Sequence, residues 1–192
     1  MSLGELVDQV DGWIRPLVML DLVRHCETGL NSRHVLVSRS DTGLSETGHK
    51  QIGAVAKRIA PHNPKVIFTS PARRAIETAE GLARILGTEI RIRQELSERD
   101  LGPLDGLDRD TLIRLRESRN RRTLDPTQDW EGFPEVESDG AVWARIAPLR
   151  EAALEAGHEV WVTHAGLIKS FLYCSFGIPA SRSLCFKIPL GS

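Results

Sequence analysis

Short strand-like segments alternate with amphipathic, helix-like segments along most of this 192-residue chain. The strand-like segments are aliphatic or β-branched in content and are bounded by polar or turn-forming residues. They cover residues 17–23, 65–69, 89–93 and 159–163. Between and after them, apolar residues recur at helical spacing. This alternation predicts an α/β fold in which a mostly parallel central sheet lies between two layers of helices, a three-layer α/β/α sandwich.

Two serines are predicted to begin helices. Ser45 precedes a segment whose apolar residues fall on one helical face. Ser70 is followed by Pro71, an order typical of a capping serine with proline in the first turn, and Arg74 would then lie in that turn. Further helices are predicted at residues 139–156 and from residue 164 onward.

Composition and charge exclude several classes of partner. The net charge is −1, with 27% charged and 41% hydrophobic residues, so no global field attracts polyanions. Acidic residues interrupt the arginine-rich stretch 109–122 and no aromatic platform accompanies it, which indicates a solvated helix face and no nucleic-acid partner. No stretch reaches the ~20 apolar residues of a membrane span, and the N-terminus lacks the basic start of a secretory signal. A cytoplasmic protein without a membrane partner is predicted.

The cysteines and the scattered histidines suggest no metal chemistry. Cys26, Cys174 and Cys185 are odd in number and widely spaced, which argues against a disulfide framework and against a paired zinc site. No ligand spacing relates the remaining histidines His34, His49, His62 and His158. We therefore expect the chain to need no metal and no cofactor.

Cationic and imidazole side chains follow three of the predicted strands. Arg24 and His25 come directly after the first strand, Arg74 follows the second, and His164 follows the last. Ligands of open parallel sheets bind beyond the carboxyl ends of the strands, so these side chains are predicted to meet at one site.

Four motifs carry a resemblance to a known family. They are Arg24-His-Cys-Glu-Thr28, residues 69–78 (TSPARRAIET), residues 98–102 (ERDLG) and residues 162–166 (VTHAG). In order and spacing they resemble the histidine phosphatase superfamily, also called the phosphoglycerate mutase-like family, from about residue 20 to 188. The resemblance implies a phosphoglycerate mutase-like fold in one domain over residues 1–192, with a cap-like insertion at about 101–138.

The resemblance also implies roles for individual residues. His25 would be the nucleophile and Glu98 the general acid and base. Arg74 is chosen over its neighbour because it directly precedes Ala75 and stands four residues before Thr78, as in the family pattern. The phosphate-binding residues would be Arg24, Arg74, His164 and Asn31, and the substrate-binding residues Arg39 and Ala165. The insertion, together with Arg39, Trp130 and Phe133, would shape specificity.

Elementary chemistry supports these assignments. A phosphoryl group in transfer carries negative charge that arginines and a second histidine stabilise. A neutral imidazole attacks phosphorus when its other ring nitrogen is held by a hydrogen bond. A carboxyl group near anionic phosphate has a raised pKa and can protonate the departing oxygen. Each residue alone has an ordinary structural interpretation, but four motifs in the family order favour catalysis.

Two features depart from the family pattern. Cys26 stands where the family usually has glycine. It is not predicted to be a nucleophile of the tyrosine-phosphatase kind, since the Cys-x5-Arg loop would need arginine at the place of Ser32, and Arg33 comes one residue later. The family carries a further strand beyond Leu190, so a truncated C-terminus is expected.

Three functions remain open at this point. The short chain favours a phosphatase, because mutases of the family typically carry longer insertions that keep water away from the phosphoenzyme. Its substrate would be a small phosphorylated metabolite, such as a sugar phosphate, a phosphoglycerate-type acid or an α-ribazole phosphate-like compound. The alternatives are a phosphoglycerate mutase-type phosphotransferase and a phospho-ligand- or phosphoprotein-binding member with little activity. The resemblance also suggests a homodimer.

Overall fold

A computed structural model describes residues 19–40, 42–118, 133–156, 158–178 and 188–192, of which 154–156 are described as backbone only. Four parallel strands form its sheet in the order β1-β4-β2-β3. They are β1 (Met19–Arg24), β2 (Val66–Thr69), β3 (Glu89–Ile92) and β4 (His158–Thr163). The predicted parallel sheet is confirmed, and the carboxyl ends of all four strands lie at one edge.

Helices cover both faces of the sheet. They are α1 (Glu46–Ile59), α2 (Arg73–Leu86), α3 (Arg109–Ser118), α4 (Asp139–Ala156) and α5 (Ala165–Ser175). Successive strand residues point to opposite faces. Accordingly, Val160 packs in an apolar cluster with α1 and α2, whereas Trp161 packs in a second cluster with α4 and α5. This arrangement confirms the predicted three-layer α/β/α fold. In the described part of the chain, no helix combines the length and the apolar character of a membrane span.

One of the two predicted helix caps is confirmed and the other is wrong. The Ser45 hydroxyl accepts a hydrogen bond from the Gly48 amide at 3.0 Å, as an N-cap does. The second helix begins only at Arg73, and its N-cap is Ala72. The Ser70 hydroxyl instead accepts a 3.3 Å hydrogen bond from the Ala72 amide, ahead of the helix, and lies 2.8 Å from Nε2 of His164. The serine thus serves a tertiary contact as well as the local turn before the helix.

The predicted insertion has an apolar cluster of its own. Its buried members are Leu101, Leu104, Leu112, Phe133 and Val136. Phe133 is 2% exposed, and the Arg116 guanidinium lies 4.9 Å from its ring centroid. Phe133 thus supports the insertion from inside, and its part in shaping specificity stays a prediction. Trp130 lies outside the described residues.

Candidate active site

His25 is held as a neutral imidazole at the end of β1. Its side chain is 4% exposed, and Nδ1 lies 2.8 Å from the Cys26 carbonyl oxygen. A carbonyl only accepts hydrogen bonds, so Nδ1 carries the proton and Nε2 carries the lone pair. Burial, followed by the positive charge of Arg74, lowers the pKa of His25 from 6.5 to about 3. The imidazole is therefore ready to act as a nucleophile near neutral pH.

Cys26 is accommodated in the core. Its side chain belongs to the apolar cluster under α1 and α2, and its amide donates a 3.0 Å hydrogen bond to the Thr78 hydroxyl. Burial raises the pKa of the Cys26 thiol. The side chain that replaces the usual glycine thus points into the core, while the Cys26 backbone orients His25.

His164 lies beside His25, with 5.2 Å between the ring centroids. It is fully buried, and burial together with the charge of Arg74 lowers its pKa well below 6.5. The Ser70 hydroxyl accepts a hydrogen bond from the Ala72 amide at 3.3 Å, and among the described residues its one proton has only His164 Nε2, at 2.8 Å, as an acceptor. We assign the ring proton to Nδ1 on this basis. Nδ1 is buried and has no hydrogen-bond partner among the described residues, so it can donate to a bound anion.

Two arginines supply the positive charge of the site. Arg74 is 1% exposed, and its guanidinium donates 3.0 Å hydrogen bonds to the carbonyls of Ser38 and Ser40. Arg24 donates a 2.7 Å hydrogen bond to the carbonyl of Ile188. Both guanidinium groups lower the pKa of both histidines, so both lie near the imidazole pair. Such fixed donors suit the non-bridging oxygens of a phosphoryl group.

Glu98 lies at the N-terminus of α5. Its carboxylate accepts hydrogen bonds from the amides of Arg99 at 2.8 Å, Leu167 at 3.2 Å and Gly166 at 3.3 Å. A Cβ atom on residue 166 would lie 2.5 Å from Glu98 Oε1, so a side chain at this position would displace the carboxylate from its present place. Burial lowers the pKa of Arg24, and the negative charge of Glu98 acts in the opposite direction and raises it. The Glu98 carboxylate therefore lies near that arginine.

A cleft of about 770 Å³ opens next to these residues. Ser70 and Glu98 line it, and so connect it to the imidazole pair. Residues 134–137 of the insertion form another part of its wall. Two cationic side chains, Arg39 and Arg145, also line the cleft. Arg145 is held by both carboxylate oxygens of Glu137, at 2.8 and 3.1 Å.

The remaining predicted site residues differ in their placement. Arg39 lines the cleft, where its largely exposed side chain pairs with the Asp100 carboxylate. Ala165 is the first residue of α5, directly after His164. Asn31 Oδ1 accepts a 2.9 Å hydrogen bond from the Thr28 hydroxyl within a local turn. The phosphate-binding role of Asn31 stays a prediction.

Sequence reasoning missed two residues of this region. Ser70 lies within the motif of residues 69–78, but its position before Pro71 favoured its interpretation as a helix cap, so its contact with His164 was not predicted. The sequence indicates only that Arg145 lies on a predicted helix. Its position in the cleft wall depends on how α4 packs, which no sequence pattern predicts.

Comparisons with known proteins agree with this geometry. The profile described as histidine phosphatase superfamily (branch 1) matches residues 20–192. The chain belongs to the histidine phosphatase superfamily. A similar protein of this superfamily, named probable phosphoglycerate mutase GpmB, comes from Photorhabdus laumondii. It is 33% identical over 171 residues, which cover 85% of this chain and 77% of the relative.

Solved structures of the superfamily show the same fold. A mycobacterial glucosyl-3-phosphoglycerate phosphatase is 27% identical with a TM-score of 0.72, over 87% of this chain and 82% of that chain. It has also been solved with VO3 and with inorganic phosphate. Bacillus stearothermophilus YhfR, at 23% identity and a TM-score of 0.72 over 90% and 86% of the two chains, supports the fold alone.

The two buried histidines are expected to make this histidine phosphatase superfamily member less stable in acid. The unfolded chain protonates histidine near pH 6.5, whereas folded His25 stays neutral to about pH 3. The unfolded state therefore binds more protons between these values, and the free energy of unfolding falls as the pH is lowered from 6.5 toward 3. Urea unfolding at pH 7, 6, 5 and 4 measures this slope. His25→Asn should flatten it relative to His49→Ala, whose histidine is exposed; equal slopes would contradict the assignment.

Ser70 is expected to be a positioning residue for His164. Ser70→Ala removes the hydroxyl that fixes the His164 tautomer. The kcat for the expected hydrolysis of phosphate monoesters should then fall about 10- to 100-fold, as when other hydrogen bonds that orient a functional histidine are removed. Ser70→Thr keeps the hydroxyl and should recover much of the loss. The pH dependence of kcat should change in Ser70→Ala only. Unchanged kcat and an unchanged pH profile in that variant would exclude the role.

Proposed function

We propose that this chain hydrolyses phosphate monoesters through a phosphohistidine at His25. The observation that carries the proposal is the hydrogen bond from His25 Nδ1 to the Cys26 carbonyl, which leaves the Nε2 lone pair available beside two arginines and His164. An imidazole fixed in this tautomer suits nucleophilic attack on phosphorus. The superfamily membership supports a phosphatase- or mutase-like reaction.

The proposed reaction has two displacements at phosphorus. In the first, His25 Nε2 forms the N–P bond while the ester P–O bond breaks, and the departing oxygen receives a proton. In the second, a water oxygen forms a new P–O bond while the N–P bond breaks, so inorganic phosphate leaves and His25 is restored. Arg24, Arg74 and the Nδ1–H group of His164 would stabilise the charge on the phosphoryl oxygens in both steps.

Glu98 is the proposed proton donor and acceptor. It lines the cleft where the leaving group would lie, and it interacts electrostatically with Arg24. It would protonate the departing oxygen in the first displacement and take a proton from the attacking water in the second. Its three amide hydrogen bonds keep the carboxylate in one place during both steps.

The proposed substrate is a small phosphorylated metabolite, such as a sugar phosphate, a phosphoglycerate-type acid or an α-ribazole phosphate-like compound. The cleft of about 770 Å³ has the size of a small-molecule site, and Arg39, Gln94 and Ser97 offer donors for hydroxyl or carboxylate groups. The phosphoglycerate moiety in the names of the mycobacterial phosphatase and of the probable mutase supports the same class. The arginines supply the positive charge, so we propose that hydrolysis requires no metal ion.

Mutase activity is the second candidate. The 33% identity to a probable phosphoglycerate mutase favours it. In a mutase the phosphohistidine would return its phosphoryl group to a second hydroxyl of the same acid instead of to water. The two reactions share His25, and they differ in the product formed.

Phosphorus NMR of a substrate panel distinguishes the candidates. The wild type is incubated with sugar phosphates, 2- and 3-phosphoglycerate and nucleoside monophosphates in the presence of EDTA, with His25→Ala as the control for contaminating phosphatases. We expect inorganic phosphate from at least one panel member in the wild type alone. Interconversion of the two phosphoglycerates without phosphate release would instead identify a mutase. No turnover by a folded wild type would indicate a binding protein.

A further inference from the structure

A second group of chemically active side chains lies away from the cleft. His62 Nδ1 is 2.7 Å and His158 Nε2 is 2.9 Å from the same atom, Oδ2 of Asp21. One donor atom from each of the three residues lies within 4.8 Å of the other two. Two imidazole nitrogens therefore meet at one carboxylate oxygen, and the three donor atoms form one close group.

The fold, and not the sequence spacing, brings these residues together. Asp21 lies in β1 and His158 begins β4, and the pairing of Met19 with His158 and of Asp21 with Val160 puts both side chains on one face of the sheet. His62 ends the short helical turn that follows α1. Three separate elements thus each contribute one donor.

We propose that Asp21, His62 and His158 form a zinc-binding site. Two neutral imidazoles and a carboxylate are a donor set that Zn²⁺ accepts, with ligand distances of about 2.0–2.2 Å. Ligands around a tetrahedral zinc ion at those distances lie roughly 3.4 Å apart. To admit the ion, the two nitrogen–oxygen contacts of 2.7 and 2.9 Å would lengthen by about 0.5–0.7 Å. The imidazole rings, which face Asp21 Oδ2, would turn toward the ion, and each ligating nitrogen would give up the proton that it donates to Asp21.

The exposure of the three side chains suits a site that exchanges metal with solvent. Asp21 is 23% exposed, His62 is 32% and His158 is 19%. An ion can therefore reach the three donor atoms, and water can fill the fourth position of a tetrahedral zinc. Bound zinc would connect β1, β4 and the turn after α1, and would stabilise the folded chain.

The proposed zinc site is separate from the candidate active site. His158 begins β4, whereas His164 directly follows the end of that strand. Asp21 in β1 likewise precedes His25 by four residues, about 13 Å along extended backbone. Zinc bound by Asp21 and His158 would therefore act on stability and would leave the phosphate site unoccupied, so its test does not depend on phosphatase activity.

Metal titration of the full chain tests the proposal. Chelator-treated protein is titrated with Zn²⁺ by calorimetry and with Co²⁺ by visible absorption, in which a tetrahedral site gives intense d–d bands. We expect one equivalent bound, and a rise in Tm of about 5–10 °C at a free Zn²⁺ concentration of one hundred times Kd. Asp21→Ala and His62→Ala should each weaken binding by at least about 100-fold, since each loses one of three ligands.

Two control variants locate the bound metal. His49→Ala removes an exposed histidine of α1, and His25→Ala removes a histidine of the candidate active site. Both should bind zinc as the wild type does. Absence of binding by the wild type, or binding that survives both Asp21→Ala and His62→Ala, would overturn the proposal and leave the three residues as a hydrogen-bonded triad.

Discussion

Replacing His25 by alanine is expected to lower kcat for phosphate monoesters by at least about 10⁴-fold, a loss typical of a removed nucleophile. The neighbouring imidazole of His164 cannot substitute for it, because Nε2 of His164 is occupied by the Ser70 hydroxyl. Cys26 cannot substitute either, since its side chain is buried in the apolar cluster under α1 and α2. Steady-state hydrolysis of the preferred substrate measures the effect.

The binding of inorganic phosphate separates lost chemistry from lost structure. Arg24, Arg74 and His164 remain in His25→Ala, so calorimetry should give a Kd for phosphate within about tenfold of the wild type, or 1.4 kcal/mol. His49→Ala serves as the control for removing a histidine from an exposed position, and it should retain full activity. A kcat for His25→Ala close to that of the wild type would refute the assignment of the nucleophile.

Arg74→Lys is expected to lower kcat about 10³-fold, the order of loss found when a charged transition-state donor is removed. The guanidinium holds the carbonyls of Ser38 and Ser40 and at the same time acts on both histidines. A lysine ammonium is a single point charge and cannot reproduce the planar fork of donors. Charge alone is therefore insufficient at this position.

The adjacent arginine provides a matched control. Arg73 precedes Arg74 in α2, but it is 63% exposed and pairs with Glu77 at 2.7 Å. Arg73→Lys should change kcat by less than about twofold, because exposed ion pairs contribute little. Thermal melting of both variants in saturating phosphate verifies that they are folded at the assay temperature. Equal losses in the two variants would contradict the choice of Arg74.

The sequence predicted those parts of the molecule that depend on local pattern. Alternating strand and helix signals located all four strands of the described sheet, and they placed Arg24, His25 and His164 at its carboxyl edge. Residues at the ends of neighbouring parallel strands must meet, so the composition of the candidate site followed from motif order. The Ser45 cap was predictable for the same reason, since it depends on residues three positions apart.

Features that depend on packing between distant segments were not predictable. Ser70 carries a local signal for a helix cap, but the helix begins only at Arg73, and the contact of Ser70 with His164 joins residues far apart in sequence. The convergence of His62 and His158 on Asp21 depends on the register of β1 against β4 and on where α1 ends. No spacing rule for metal ligands covers residues brought together in this way.

Trapping of the phosphoenzyme tests the central claim most directly. The wild type is mixed with excess substrate, quenched in alkali within the first turnover and examined by peptide mass spectrometry. We predict one phosphoryl group on His25, lost on brief acid treatment as a phosphoramidate is, and absent from His25→Ala. A phosphoryl group on Cys26, or rapid turnover without any covalent intermediate, would contradict the account.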